Sequence, residues 1–154
     1  MISGIPLPEL DDDSTPFWEG CARNELLIQT CRSCGAPRLP PRPMCPVCTS
    51  FDHTWDRASG RGHIWSVAVP SPPLLPAFAD IALVAPYNVI VVEIDEGEGL
   101  RLIGNLVSAP DAGINSVDPA SIVIGEPVRV VFDSPVEDDH GSVTMPRWVR
   151  DPPG

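Results

Sequence analysis

The sequence predicts a mainly β fold, in which a short N-terminal helix and a rubredoxin-like zinc ribbon precede a five-stranded OB-fold barrel. Three observations lead to this prediction. The chain has 20 prolines among 154 residues, and interior prolines break long helices. Four of its five cysteines form two Cys-x-x-Cys pairs. Five short runs rich in β-branched residues then alternate with glycine, proline and acidic turns.

The composition is that of one ordinary globular domain, but its charge is unevenly distributed. The net charge is −11, and all ten basic residues are arginines. Residues 21–61 hold six arginines against three acidic residues, a local balance of +3, whereas the remainder carries −14. Because a strongly acidic chain repels nucleic acid, we expect no nucleic-acid partner.

The sequence also lacks the signals of a membrane or exported protein. No stretch reaches the ~18 consecutive apolar residues of a membrane span, and the N-terminus has no basic start followed by an apolar core. We therefore expect a cytoplasmic protein with no membrane partner. Cytoplasmic thiols stay reduced, which favours a metal site over disulfides for the paired cysteines.

The first predicted element is a short amphipathic helix over residues 16–25. Residues 1–14, proline-rich and then acidic, lack periodicity and are predicted to be a flexible leader. The stretch "TPFWEG" then offers a threonine N-cap and a proline at the first helical position. Phe17 and Cys21 share a helix face, on which Cys21 is expected to be a small buried hydrophobe. Phe17 and Trp18 would either pack on the barrel or anchor an interface.

The cysteine pairs come next and predict a zinc ribbon. A short β-prone run, "LLIQTC", delivers the first pair, Cys31 and Cys34, and ten residues separate it from Cys45 and Cys48. Two facing knuckles of this kind place four thiolates tetrahedrally at ~2.3 Å from one Zn²⁺. Four sulfurs leave no open position for a catalytic water, so the zinc is predicted to be structural. A redox iron centre on the same four ligands is the alternative.

Five further runs predict the strands of a small barrel. They are expected at residues 62–69, 87–94, 100–107, 126–132 and 142–149. Alternation in the first run would place His63, Trp65, Val67 and Val69 on one side. Five strands with long connections are typical of the OB barrel, with an open sandwich as the alternative. The apolar, proline-broken connection at 72–86 would pack on the body or cover a partner or ligand.

These elements suggest four segments along the chain. They are a flexible leader at 1–14, the helix plus zinc ribbon at 15–58, the OB-fold barrel at 59–150 and a tail at 151–154. The three histidines, His53, His63 and His140, lie in no recognised catalytic motif, and GxSxG, P-loop and GxGxxG patterns are absent from the sequence. We therefore predict no catalytic residue.

The order of elements resembles that of a zinc-ribbon/OB-fold family, formerly a domain of unknown function, that accompanies thiolase-like enzymes and MaoC-type hydratases. The stretches that carry the resemblance are "PFWEGCARNELLIQTCRSCGAPRLPPRPMCPVC", "SGRGHIWSVAVP", "PYNVIVVEIDEGEGLRLIGNLV" and "IGEPVRVVFD". Together they span about residues 16–148. The family includes the accessory subunit of a steroid side-chain aldolase.

The resemblance implies a non-catalytic accessory subunit of a thiolase-superfamily enzyme acting on acyl-CoA thioesters. Such a subunit would stabilise its partner, help to bind or channel the CoA substrate, and form a heterotetramer with a thiolase-like protein. We expect no fused MaoC-type domain in this chain, so hydratase activity is not carried over.

Residue types suggest which side chains would make these contacts. The apolar loop suits a partner surface, and arginines suit CoA phosphates because the guanidinium contacts phosphate bidentately. The candidate ligand or partner contacts are Phe17, Trp18, Arg38, Arg42, Leu74, Leu75, Phe78 and Tyr87. The alternatives are a stand-alone acyl-CoA binding module and a nucleic-acid-binding zinc-ribbon/OB protein.

Overall fold

In residues 7–71, 86–138 and 141–152, which the computed structural model describes, one α-helix and ten β-strands form a mainly β fold. The elements are α1 (Thr15–Ala22), β1 (Leu27–Cys31), β2 (Pro37–Arg38), β3 (His53–Arg57), β4 (Arg61–Ala68), β5 (Val89–Ile94), β6 (Arg101–Gly104), β7 (Pro127–Phe132), β8 (Val136–Asp138), β9 (Gly141–Val143) and β10 (Pro146–Arg150). A 3₁₀ turn at Pro119–Ser121 lies between β6 and β7. The predicted fold class is confirmed.

The helix α1 begins one residue earlier than predicted and ends three residues sooner. Asp11 organises its start, because its carboxylate accepts the Ser14 N–H at 2.7 Å and its carbonyl accepts the Thr15 N–H at 2.9 Å. At the other end, Asn24 takes a φ of 60°, a left-handed conformation that a helix cannot continue. Phe17 and Cys21 face the core.

The ribbon is a three-stranded antiparallel sheet in the order β2-β1-β3. The register of β1 with β3 pairs Leu27 with Arg57 at one end and Cys31 with His53 at the other. The first cysteine therefore sits at the end of a hydrogen-bonded strand, which delivers it to the metal site in a fixed position.

The larger sheet closes into a barrel in the order β10-β7-β4-β5-β6. The chain just after the edge strand β6 meets the other edge strand, β10, through a parallel bridge between Leu106 and Trp148. The Val107 N–H donates to the Trp148 carbonyl at 2.8 Å, and the Trp148 N–H donates to the Asn105 carbonyl at 3.0 Å. This closure is that of a five-stranded OB fold and excludes the open sandwich.

The ribbon and the barrel share one hydrophobic core. Its members from the barrel include Ile64, Ile90 and Trp148, all with 0% exposure, and Phe17 and Leu26 join them from the helix and ribbon side. The helix and the start of the ribbon therefore pack on the barrel, which holds the cysteine knuckles in place.

Two details of the barrel differ from the sequence-based expectation. A bulge between Ile64 and Ser66 shifts the register of β4 against β5, so Trp65 is 48% exposed whereas Val67 packs against the core. The alternation predicted for this strand is therefore wrong. The single strand predicted at 142–149 is divided into β9 and β10. Most of the apolar connection, residues 72–85, lies outside the described residues.

Candidate metal centre

Two knuckles with the same backbone geometry carry the four cysteines. In the first, the Gly35 N–H donates to the Cys31 carbonyl at 2.9 Å, and the Cys31 N–H donates to the Ala36 carbonyl at 3.0 Å. In the second, the Thr49 N–H donates to the Cys45 carbonyl at 3.0 Å, and the Cys45 N–H donates to the Ser50 carbonyl. The repeated pattern turns both Cys-x-x-Cys pairs inward.

The four sulfurs converge on one point. The Cys31 and Cys48 Sγ atoms are 3.5 Å apart, and those of Cys34 and Cys45 are 3.7 Å apart. All four lie within 4.8 Å of one another. Four sulfurs at ~2.3 Å from a tetrahedral zinc would be about 3.8 Å apart. The cysteines are therefore positioned to bind a metal ion, and the donor set fits a closed structural zinc site with no position for water.

Backbone N–H groups prepare two of these sulfurs to be thiolates. Those of Cys34 and Ser33 point at the Cys31 sulfur and lower the pKa of its thiol to about 6. Those of Cys48 and Val47 lower the pKa of Cys45 in the same way. Because the thiolate is the metal ligand, this arrangement favours metal binding at neutral pH.

The Cys34 sulfur opposes ionisation unless a cation is present. The Ala36 N–H lowers the pKa of Cys34, but the neighbouring thiols of Cys48, Cys45 and Cys31 raise it, to a net value of about 12. Four negative charges within a few ångströms repel one another. A divalent cation removes this repulsion, so full ionisation of the cluster requires the metal.

The fifth cysteine has a different environment. Cys21 is fully buried on α1, and burial raises the pKa of its thiol to about 12. A neutral, inaccessible thiol is neither a ligand nor a nucleophile. The expectation that Cys21 is a small buried hydrophobe is confirmed.

A buried polar network that the sequence did not reveal supports the ribbon behind the knuckles. Gln29, with 0% exposure, accepts at Oε1 from the Arg38 Nε–H and the Arg42 N–H, both at 2.8 Å. Its Nε2–H donates to His53 Nε2 at 3.3 Å. His53 Nδ1 lies 3.0 Å from the Phe51 carbonyl, to which it donates. A glutamine in a short β run carries no sequence signal for this role, because the partners come from three separate segments.

The candidate contact residues lie in different environments. Phe17 is buried, and Trp18 packs edge-to-face against it at 5.1 Å. Arg38 is 3% exposed, whereas the side chain of Arg42 is exposed. Tyr87 is partly buried. Leu74, Leu75 and Phe78 lie outside the described residues.

Two polar residues in or next to β5, Asn88 and Glu93, form hydrogen bonds within the fold. Asn88 is fully buried, and its amide donates to the Leu106 carbonyl at 2.9 Å and accepts the Leu106 N–H at 2.7 Å. Glu93 lies on the outer face, where the Gly99 N–H and the Arg101 guanidinium hold its pKa below the usual value. A carboxylate stabilised in this way is a weak base, which argues against a role in proton transfer.

An open groove of about 550 Å³ runs beside β7 and β10. Val107, Val117 and Val149 contribute its apolar part, and Arg129 and Asp118 contribute charge. Among the described residues, the ion pair of Arg129 is long, 3.9 Å to Asp151, and its side chain is half exposed. Serines and Asp118 line the groove, but within the described residues Ser121 Oγ donates to the backbone carbonyl of Asp118 and not to its carboxylate. No serine in this described part of the groove is hydrogen-bonded to a side-chain base.

The helix, the two knuckles and the closed barrel define a zinc-ribbon protein with an OB-fold barrel. Family models place it more narrowly. Residues 18–54 match the model described as the ChsH2 rubredoxin-like zinc ribbon domain, and residues 55–133 match the ChsH2 C-terminal OB-fold domain. The chain belongs to the ChsH2 family of zinc-ribbon/OB-fold proteins.

Curated relatives share both parts. The chain is 37% identical over 123 residues to a probable enoyl-CoA hydratase alpha subunit of Thermomonospora curvata, covering 80% of this chain and 34% of that protein. It is 32% identical over 125 residues to the 3-oxo-4,17-pregnadiene-20-carboxyl-CoA hydratase alpha subunit of Mycobacterium tuberculosis, covering 81% and 35%. The chain thus spans about a third of the length of these two relatives. A DUF35 domain-containing scaffold protein of Methanothermobacter thermautotrophicus is 35% identical over 111 residues, covering 71% of this chain and 73% of that protein.

Solved structures agree with this assignment. A chain of the Ltp2-ChsH2(DUF35) aldolase has a TM-score of 0.71 and 34% identity, covering 94% of this chain and 98% of that one. A DUF35-family protein of unknown function from Sulfolobus solfataricus has a TM-score of 0.54 and 13% identity over 78% of each chain, which supports the fold alone. Within the described residues, no helix is long and apolar enough to cross a membrane.

Proposed function

We propose that this protein is a non-catalytic accessory subunit of a thiolase-superfamily enzyme that acts on acyl-CoA thioesters. By itself, the subunit would have no catalytic activity. The observation that carries the proposal is the likeness to a chain of the Ltp2-ChsH2(DUF35) aldolase over nearly the full length of both chains. Two relatives are named as alpha subunits of CoA-ester hydratases and a third as a scaffold protein. Proteins of this family therefore recur as parts of assemblies.

The proposed reaction of the complex is a retro-aldol cleavage in steroid side-chain degradation, and the proposed assembly is a heterotetramer in a cytoplasmic setting. The names of the aldolase and of the pregnadiene-carboxyl-CoA hydratase support this substrate class. In this assembly the thiolase-like partner supplies the reacting groups, and this chain stabilises the partner and borders the path of the CoA substrate.

The chemistry of the described residues is consistent with an accessory role. Four cysteine sulfurs converge where they could hold a metal ion, and a tetrahedral ion bound by all four would have no open coordination position. Glu93 is held as a carboxylate by hydrogen bonds, and Cys21 is a neutral buried thiol. None of these groups is poised to act as a nucleophile or base.

For CoA, we propose contacts from exposed cationic and apolar side chains. Arg42 is the better of the two ribbon candidates because its side chain is exposed, whereas Arg38 is engaged inside the ribbon. Phe17, Trp18 and Tyr87 would act by shaping the surface, and Leu74, Leu75 and Phe78 are kept as proposed contacts of the apolar connection. The same features would serve a stand-alone acyl-CoA binding module.

The experiment is native co-purification of the tagged chain from its own host, followed by assays of the isolated chain and of the complex. We expect a stoichiometric thiolase-like protein, no turnover of any acyl-CoA by the chain alone, and activity with the partner present. Robust turnover by the lone chain would overturn the accessory role. Tight binding of acyl-CoA by a monomer without any enzyme partner would favour the stand-alone module.

A further inference from the structure

The second knuckle presents an apolar surface to solvent. Met44, Val47 and Phe51 are 44%, 71% and 68% exposed. The Cys45 N–H donates to the Ser50 carbonyl at 2.9 Å, so the knuckle is a closed loop. Met44 and Phe51 therefore flank the closing pair, with Val47 at the end of the loop. We call these three side chains the apolar tip.

In the part of the chain that the structure describes, the arginines of the ribbon segment lack the acidic partners that the other arginines have. Seven of the ten arginines have a carboxylate oxygen within 3.9 Å. Within the described residues, the exceptions are Arg32, Arg38 and Arg42, all in a stretch, residues 30–51, that contains no Asp or Glu. The chain has 21 acidic residues, yet among the described residues none forms an ion pair with these three arginines.

The position of these arginines links them to the apolar tip. The Arg32 N–H donates to the Asp52 carbonyl at 3.0 Å, which places Arg32 beside the residue that follows Phe51. Arg42 precedes Met44 by two residues, and both Arg32 and Arg42 are exposed. Arg38 is buried, and its two terminal nitrogens have no hydrogen-bond partner among the described residues. Even with the formal charge of about −2 that zinc and four thiolates carry together, the segment stays positive.

We propose that the apolar tip with Arg32 and Arg42 is the surface by which this chain docks on the enzyme subunit of its complex. The matching surface on that subunit is an apolar depression bordered by carboxylates. Carboxylates at the border of the partner's depression would be repelled by the acidic remainder of this chain and attracted by the arginines of the ribbon. This difference orients the ribbon toward the partner. The inference rests on the proposed function, because the occupant is the partner named there.

The test measures binding between the purified thiolase-like partner and the full chain. Val47→Glu with Phe51→Glu should weaken binding at least about 30-fold, the effect expected of central interface residues. The matched control is Val123→Glu with Ile124→Glu, an exposed apolar pair on the barrel with 63% and 56% exposure. It adds the same charge elsewhere and should change the affinity less than about threefold. Zinc content is measured for every variant.

A second variant tests the charge without touching the apolar tip. Arg32→Glu with Arg42→Glu should also weaken binding, and added salt should weaken the wild-type complex more than the variant complex. If the Val47→Glu with Phe51→Glu variant loses zinc, the binding of this arginine variant tests the docking surface instead.

The outcomes separate this inference from the proposed function. If the wild-type chain retrieves a thiolase-like protein but the ribbon variants bind it as tightly as wild type, the docking surface is wrong and the accessory role stands. A loss of binding in the barrel control alone also overturns the docking surface. If the wild-type chain assembles with no thiolase-like protein, the proposed function fails, and the docking proposal fails with it.

Discussion

Replacing Cys34 and Cys45 by serine should abolish zinc binding and unfold the ribbon. The sulfur separations of 3.5 and 3.7 Å are close to the ~3.8 Å edge of a tetrahedral zinc–thiolate site, so the metal enters with little rearrangement. Structural zinc contributes about 10–16 kcal/mol in small modules, which matches or exceeds the whole stability of about 5–15 kcal/mol of a typical domain. Serine does not ionise at neutral pH, so the double variant keeps only two anionic ligands.

We expect zinc content to fall from one equivalent to less than about 0.1 in the double variant. The ribbon should melt first, because its order depends on the metal, while the barrel retains its own core of Ile64, Ile90 and Trp148. The measurements are zinc by mass spectrometry and unfolding followed by circular dichroism. The control is Cys21→Ala, which removes the one cysteine outside the cluster and should keep a full equivalent of zinc. Full zinc retention in the double variant would refute the ligand assignment.

Three further predictions concern the fold. Gly62→Ala should cost about 1–3 kcal/mol, since the new Cβ would collide with the Glu93 carbonyl; an unchanged urea midpoint would contradict it. Thr49→Gly should raise the melting temperature, because Thr49 has a left-handed φ of 62° and glycine relieves about 1 kcal/mol of strain there. A lower melting temperature would contradict this prediction. The Gly99 N–H and Arg101 lower the pKa of Glu93, so the contribution of this carboxylate to stability is present above its unfolded pKa of about 4.5 and is lost as the pH falls below that value. Glu93→Gln should therefore flatten the fall in urea midpoint below pH ~4.5. An identical pH profile in the variant would show that Glu93 does not contribute to stability in this way.

Local signals predicted the elements well because helix caps, strand alternation and turns depend on neighbours in sequence. The Thr-Pro start marked α1 to within one residue at its beginning, although the left-handed Asn24 ended it early. Strands β4, β5 and β7 lie within two residues of their predicted starts. The two Cys-x-x-Cys pairs located the metal cluster because each knuckle is a closed local loop. Domain limits and most contact residues remain predictions.

Other features could not be read from local pattern. The bulge that turns Trp65 outward arises from the pairing of β4 with β5. The alternation of residues along β4 does not predict this bulge. Arg38 was a candidate contact, yet β1 pairs with β2 and Arg38 donates to Gln29 inside the ribbon. Asn88 holds the chain at Leu106, 18 residues away. In each case the partner comes from a distant segment.

By itself, the sequence determined the mainly β class, the helix start, the four-cysteine cluster and the concentration of arginine in an otherwise acidic chain. These depend on composition and on spacings of a few residues. Only the tertiary structure decided the strand order, the parallel closure between Leu106 and Trp148, and which arginines are buried, paired or left without a carboxylate. Those outcomes depend on contacts between segments far apart in the chain. The free energies of such contacts cannot be predicted from the spacing of neighbouring residues.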